Sequence, residues 1–537
     1  MLVTLTSPSH FASRARTPMH VTLIDPPRYT FPLNHASNVA IPPLGVAYIA
    51  ASIESAGHQL SVIDAVGEGL STYTPFGSVY LRGLPFDEVV RRIDPDTRVI
   101  AMSNMFSCQW PATHRLIARI RERFPDTPIV IGGEHPTGMP ELTLTQSRAD
   151  FVVRGEGEET MLELLEHLGG GAGAPDGIAG LAFRRNGDVV LTPRRDRMRQ
   201  IDDIPTPAWR HFNVEGYIGF NQPHGASLGR YIPMLATRGC PYRCTFCTSP
   251  QMWTQFWIMR DPVRIVDEMQ SYMEQYGATD FHFEDLTALV RKDKVLALAQ
   301  AIIDRGLKVT FQLPSGTRSE AVDRETARAL KAAGCSEFQF APESGDERVL
   351  KAIEKRVALP RMFESARCAI DEGMSVSCNF IFGFPEDDWR SVLNNYKAIV
   401  RCAWLGFTGV NLNAYSPQPN TTSFKALVAE GRIPEFDDAY FMSLFTFQSF
   451  FVKKTSYNPR FSAGMLTAII LFGFALFYGS YFLLRPTRII GAVRSLFTRT
   501  AVNKSATYGR SMVREIGRVR RFRKAARRSG AGLDVQA

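Results

Sequence analysis

The stretch Ala236-Thr237-Arg238-Gly239-Cys240-Pro241-Tyr242-Arg243-Cys244-Thr245-Phe246-Cys247 decides how the rest of the chain is read. It follows a short apolar run, Ile232 to Leu235, with the character of a strand, so its three cysteines stand on a loop leaving a strand end. The spacing C-x3-C-x2-C lets three thiolates surround one face of an iron–sulfur cube. A fully protein-bound [4Fe–4S] cluster takes four cysteines. Three leave one iron open to a substrate or a second cofactor. Free cysteines are often plain core residues, but here three of the eight in the chain fall within eight positions. A structural zinc site would want a fourth Cys or His close by. The nearest histidines, His224 and His282, stand at no ligand-like spacing.

With Phe246 as the aromatic residue before the last cysteine, the pattern resembles that of the radical S-adenosylmethionine (SAM) superfamily. The resemblance implies that the amine and carboxylate of SAM chelate the open iron. One-electron reduction then cleaves SAM to a 5′-deoxyadenosyl radical that takes hydrogen from unactivated carbon. It also implies an electron donor such as flavodoxin or ferredoxin.

The 537 residues leave room for two or three domains. The other cysteines, Cys108, Cys335, Cys368, Cys378 and Cys402, are scattered and suggest no disulfide framework, which suits a reducing cytoplasm. Residues 1–19 carry no secretory signal and read as a disordered start. The net charge of +9 is local: from Arg485 onward there are 14 Lys/Arg against 2 Asp/Glu, so the body is slightly acidic. That balance disfavours a nucleic-acid enzyme.

Residues 20–168 alternate strand and helix. Strand-like runs at 21–25, 60–64, 98–103, 128–131 and 150–153 are separated by helical ones at 44–56, 86–93 and 111–124, with another at 158–168. This is the pattern of a Rossmann-like, doubly wound parallel sheet, which binds ligands at the carboxyl ends of its strands. The strand ends read Ser103-Asn104, Gly132-Gly133-Glu134-His135-Pro136-Thr137 and Arg154-Gly155-Glu156-Gly157-Glu158. Glycines there let backbone approach a flat ligand. Ahead of a radical-SAM motif, these loops resemble the cobalamin-binding domain of B12-dependent radical SAM enzymes, including the anaerobic Mg-protoporphyrin monomethyl ester cyclase and B12-dependent methyltransferase types. The resemblance assigns Ser103, Asn104, Gly132, Gly133, His135, Thr137 and Gly155, Glu156, Gly157 and Glu158 to cobalamin. The D-x-H-x-x-G loop that supplies a cobalt-ligating histidine elsewhere is missing after the first strand, where Asp25-Pro26-Pro27 stands.

Residues 169–230 read as a linker, opened by Gly169-Gly170-Gly171-Ala172-Gly173 and carrying a β-hairpin around Asn186-Gly187. Residues 231–430 resume the alternation, with strands expected at 234–237, 280–283, 309–313, 337–341, 376–382 and 410–414. Six β/α units fall short of the eight of a closed barrel, and the resemblance implies a partial (β/α)6 barrel. By the same resemblance Phe246, Glu284, Glu343 and Ser344 hold SAM. Asp285 shares the acidic strand end with Glu284, and Gly383-Phe384-Pro385-Glu386 forms a further strand-end motif.

Residues 431–537 form a helical, apolar and basic extension. Phe461 to Leu484 runs 24 residues without a charge, about 36 Å as a helix and long enough to span a bilayer. A cytoplasmic catalytic body and a basic tail that also stays inside point instead to a re-entrant hairpin or an in-plane helix, eased by Gly473 and Gly479. The tail then touches an anionic membrane surface, giving a cytoplasmic protein attached peripherally to the inner face; a helical cap on the barrel is the other reading. The sequence thus describes a radical SAM enzyme with a [4Fe–4S] cluster, SAM and cobalamin, acting on an unactivated carbon of a small-molecule, lipid-like substrate by C-methylation. The alternatives are oxidative cyclisation or rearrangement of a tetrapyrrole or isoprenoid, and a membrane scaffold with a vestigial cluster.

Overall fold

In the first half of the chain, apolar strands alternate with helices that bury one face. In order these are β1 (His20–Asp25), α1 (Leu44–Ser55), β2 (Gln59–Asp64), β3 (Val99–Ser103), α2 (Trp110–Arg123), β4 (Ile129–Gly132), β5 (Phe151–Val153) and α3 (Gly157–Leu168). The computed structural model describes residues 17–30, 39–76, 79–171, 173–445 and 455–491. Most of the expected disordered start, and the basic tail beyond residue 491, lie outside the described residues. The five strands pair in parallel in the order β5-β4-β3-β1-β2. The order reverses between β3 and β1, which opens a crevice beyond their carboxyl ends.

The expected linker hairpin is part of this sheet. Strands β6 (Leu181–Arg185) and β7 (Asp188–Leu191) turn at Asn186 and Gly187, with φ of 51° and 93°, the left-handed pair a tight hairpin needs. Strand β6 then runs antiparallel against β5, covering an edge that would otherwise expose unpaired amides. A three-stranded antiparallel sheet, Arg28–Thr30, Tyr73–Phe76 and Val79–Arg82, escapes sequence reading because its strands are short and one contains Pro75.

The second half carries β8 (Tyr231–Met234), α4 (Pro262–Tyr276), β9 (Asp280–Phe283), β10 (Thr310–Thr317), α5 (Arg324–Ala332), β11 (Cys335–Glu343), β12 (Ser375–Phe382), α6 (Trp389–Leu405) and β13 (Gly409–Ala414). The strands pair in parallel in chain order, an open six-stranded wall. Helix α4 shows how local chemistry sets the borders. The Asp261 carboxylate accepts from the Val263 and Arg264 amides at its start, and Gly277, at φ 59°, ends it. Strand β8 lies three residues earlier than expected. Thr237–Arg238 instead pairs with Ile258–Met259 in a separate two-stranded ladder that turns the chain into the cysteine loop.

Along these strands Phe281, Phe283, Phe311, Phe338, Phe340 and Phe380 are buried in one core with residues of the surrounding helices. The alternating positions are polar and face the concave side. Gln312 donates to Asp280 at 2.8 Å, and Asn411 donates to Asn379 at 2.8 Å, joined there by Gln339.

Beyond the barrel, α7 (Ala463–Leu484) is one continuous helix laid along α6 and β13. This corrects the re-entrant hairpin. The helix does not bend at Gly473, which is instead a close-packing point, since a Cβ there would sit 2.8 Å from Leu412 Cδ1. Tyr396 donates its hydroxyl to the Ile469 carbonyl at 2.9 Å, and Arg485 donates to the Ala403 and Trp404 carbonyls, each at 2.8 Å. The second contact satisfies carbonyls orphaned at the end of α6.

Candidate functional site

The cysteine loop leaves the short ladder at Gly239, whose φ of 89° and close approach to the Phe256 carbonyl exclude a side chain. It closes on itself through a Cys247 amide to Cys244 carbonyl bond of 3.1 Å. Thr245 fixes it to the barrel, its amide donating to the Ile353 carbonyl and its carbonyl accepting from Ser423. Phe246 packs on Phe384 at 5.4 Å, and Phe384 on Tyr415 at 5.0 Å, so the aromatic residue of the motif closes the loop against the Gly383–Glu386 turn.

Burial raises all three thiols, Cys247 to about 12, and Cys244 and Cys247 are raised further by the charge of neighbouring cysteines in the trio. Lys355 and Arg318 oppose the rise at Cys240 and Cys244. Among the described residues no three His, Cys, Asp or Glu side chains converge tightly enough for a single metal ion. Three thiols sharing one partly buried loop, with cations alongside, fit instead a polynuclear cluster whose ligands bind different irons.

The strand ends around this loop divide into two groups. Glu343, at φ 70°, pairs with Lys355 at 3.0 Å and so stands beside the cysteines. Glu284 lies 2.8 Å from His224. The hydroxyl of Ser344, fully buried, is shared with Asn395 and accepts from the Asp346 amide, which gives it a turn-forming role. Asp285 faces backward: its carboxylate accepts from the Ala236 amide and from the amide and hydroxyl of Thr237, anchoring the approach to the cysteines. Asp387, unremarked in the sequence, holds the Gly383 and Phe384 amides at 2.8 and 3.0 Å.

Across from the cysteines lie the strand-end loops of the first sheet. Gly133 has φ 117°, and a Cβ would fall 2.6 Å from the Asn104 carbonyl oxygen, so the β3 and β4 loops touch only because it is glycine. Ser103 pairs in register with Gly132 at these ends. The Thr137 hydroxyl donates to the Gly133 carbonyl at 2.7 Å and accepts from the Gly155 amide at 3.0 Å, tying the β4 and β5 loops together. Asn104 is buried and accepts from Thr113.

Three of the residues assigned to cobalamin are buried within the fold. His135 is a core residue, its ring 4.7 Å from Trp110 and 5.2 Å from Phe441, and burial depresses its pKa to about 3. Glu156 and Glu158 are buried, and their carboxylates are taken by Arg238 at 3.2 and 2.7 Å and, for Glu156, by Arg197 at 2.7 Å. They lock the first sheet to the stem of the cysteine loop. A second tie runs from Glu134 to Thr248, next to Cys247. Two residues missed in the sequence, Met105 and Phe106, stand exposed at the end of β3 beside the crevice. Apolar side chains and bare glycine backbone there suit the flat face of a macrocycle such as cobalamin.

The comparisons with known proteins come to the same place. Residues 33–165 match the B12 binding domain and 234–399 the radical SAM superfamily. The cytidylyl-2-hydroxyethylphosphonate methyltransferase of Streptomyces wedmorensis is 30% identical over 436 residues, covering 75% of this chain and 80% of the relative. The chain belongs to the cobalamin-dependent radical SAM enzymes. Another relative is the anaerobic magnesium-protoporphyrin IX monomethyl ester cyclase of Cereibacter sphaeroides, 26% identical over 72% of this chain and 60% of that one. The fold is that of the cobalamin-dependent SAM radical enzyme OxsB, solved with aqua-cobalamin and SAM, at a TM-score of 0.65 and 14% identity over 97% of this chain and 82% of that one. A cobalamin-dependent radical SAM enzyme therefore uses a [4Fe–4S] cluster, SAM and cobalamin, and the two halves that carry them are joined here by Arg238.

Proposed function

We propose that this enzyme methylates an unactivated carbon of a small-molecule substrate in the cytoplasm, with electrons from a donor such as flavodoxin or ferredoxin. The observation that carries the reading is the apposition of the cysteine loop with the glycine-rich strand ends of the first sheet, clamped through Arg238 and through Glu134–Thr248. When bound, the cluster and SAM supply a hydrogen-abstracting radical and cobalamin supplies methyl-carrier chemistry.

The protein's own residues set the stage for that chemistry. Cys240, Cys244 and Cys247 would hold three irons of the cluster, with no fourth cysteine in the loop to ligate the remaining one. Lys355 and Arg318 offset the negative charge that the thiolates bring. Glu343 and Glu284 offer carboxylates to the SAM amine and ribose, a charge-assisted contact, and Phe246 shields the loop from water. Ser103, Gly132, Gly133, Thr137 and the Gly155–Gly157 backbone would hold cobalamin. The concave wall carries the amides of Gln339, Asn379 and Asn411, hydrogen-bonded to one another, so it is polar and suits a substrate with hydrogen-bonding groups.

Anaerobic reconstitution followed by incubation with SAM and reductant tests the reading. Methyl transfer gives both 5′-deoxyadenosine and S-adenosylhomocysteine, the latter in proportion to the cobalamin loaded. Cyclisation, the chemistry named for the Cereibacter relative, gives 5′-deoxyadenosine without S-adenosylhomocysteine.

A further inference from the structure

The outer wall of the barrel carries an apolar surface that nothing among the described residues covers. Helix α7 has no charged residue in its 22 positions. Its inner face, Leu466, Ile469, Ile470, Phe477 and Tyr481, is buried against α6 and β13. The outer face is equally apolar yet exposed, with Phe472 at 57% and Leu483 at 82%. Helix α6 extends the surface with Leu393 and Trp404, the latter 66% exposed, and Ile490 continues it past the end of α7. A helix that meets water on one side ordinarily turns charge outward, and large contiguous apolar patches on soluble proteins mark interaction sites.

We propose that this two-helix face docks flat on an anionic lipid bilayer. The chain leaves the patch at Arg485 into the segment that carries 14 Lys/Arg against 2 Asp/Glu, a charge complementary to anionic headgroups. A second copy of the chain is disfavoured by the same number, since pairing two such faces would bring two strongly basic segments to one interface. Insertion as a span is excluded by the inner face: Tyr396 and Arg485 bond α7 to the barrel, and Gly473 packs on Leu412. The docking is therefore in the plane of the interface, with apolar side chains entering the headgroup boundary. It is independent of the chemistry proposed for the cluster.

The test uses the full chain with its cluster reconstituted, sedimented with vesicles of phosphatidylcholine alone or mixed with phosphatidylglycerol. Binding is expected to the mixed vesicles and to weaken with added salt. The exposed double substitution Phe472→Glu/Leu483→Glu is expected to cut it at least tenfold, with iron content and melting temperature unchanged. Trp404→Glu, on the neighbouring helix, serves as an independent variant and is expected to weaken binding too. Absence of binding, equal binding by wild type and variants, or a lipid-free dimer that the same substitutions abolish would each overturn the proposal.

Discussion

Arg238 shows why a single side chain two positions before the first cysteine matters. Its guanidinium is buried with Glu156 and Glu158 and lies over the rings of Tyr48 and Trp253, at 5.1 and 5.9 Å. Removing the cation strands two buried carboxylates. Arg238→Met is expected to lose about 3–5 kcal/mol of stability in urea melts, and Arg238→Lys part of it, because lysine cannot address both acids with a planar fork. Asp285 gives a pH signature. Burial raises its carboxyl from 3.8 to about 6, only partly offset by the Thr237 and Ala236 donors. The folded state thus favours the protonated form, so this group's stabilisation is complete below pH 4 and is lost as pH rises through about 6. Asp285→Asn is expected to reduce the stability lost between pH 4 and 7 by about 3 kcal/mol, read from urea melts at the two ends of that range. An unchanged profile would contradict the assignment.

At the scale of elements, the turns between strand and helix carry the site, and their glycines are where sequence and geometry agree most directly. Gly133→Ala forces a Cβ against the Asn104 carbonyl in a left-handed backbone, a strain of about 1–3 kcal/mol. Hydroxocobalamin titrated by absorbance is expected to bind roughly 10- to 100-fold more weakly, while the cluster spectrum stays intact. The strands and helices themselves were legible because period-2 and period-3.6 patterns are local. Helix α4 starts at Pro262 and stops before Gly277 because its cap and its glycine stop lie next to it in the sequence. The roles of Glu156 and Glu158 were not legible. Their partners Arg197 and Arg238 lie about forty and eighty residues away, and a Gly-Glu-Gly-Glu loop looks the same whether its acids face a ligand or an arginine. The first barrel strand was misplaced for a related reason: Thr237 pairs in a small ladder with Met259, which a strand pattern alone cannot distinguish from the wall.

Across the whole molecule, two sheets present their carboxyl ends to each other, and α7 braces the outside. That order follows from the sequence, since two successive β/α series place loops of like kind at like ends. What the sequence left open was how the halves meet and where the apolar segment lies. Both are settled by long-range contacts: buried ion pairs in one case, and the fit of Gly473 against Leu412 in the other. The most direct test of the central claim, that Cys240, Cys244 and Cys247 leave one iron open for SAM, is anaerobic reconstitution followed by electron paramagnetic resonance with and without SAM. The account predicts a reduced cubane signal that shifts when SAM is added and disappears when the three cysteines are replaced by alanine. A cubane signal that persists in the triple-alanine variant, or one indifferent to SAM, would contradict it.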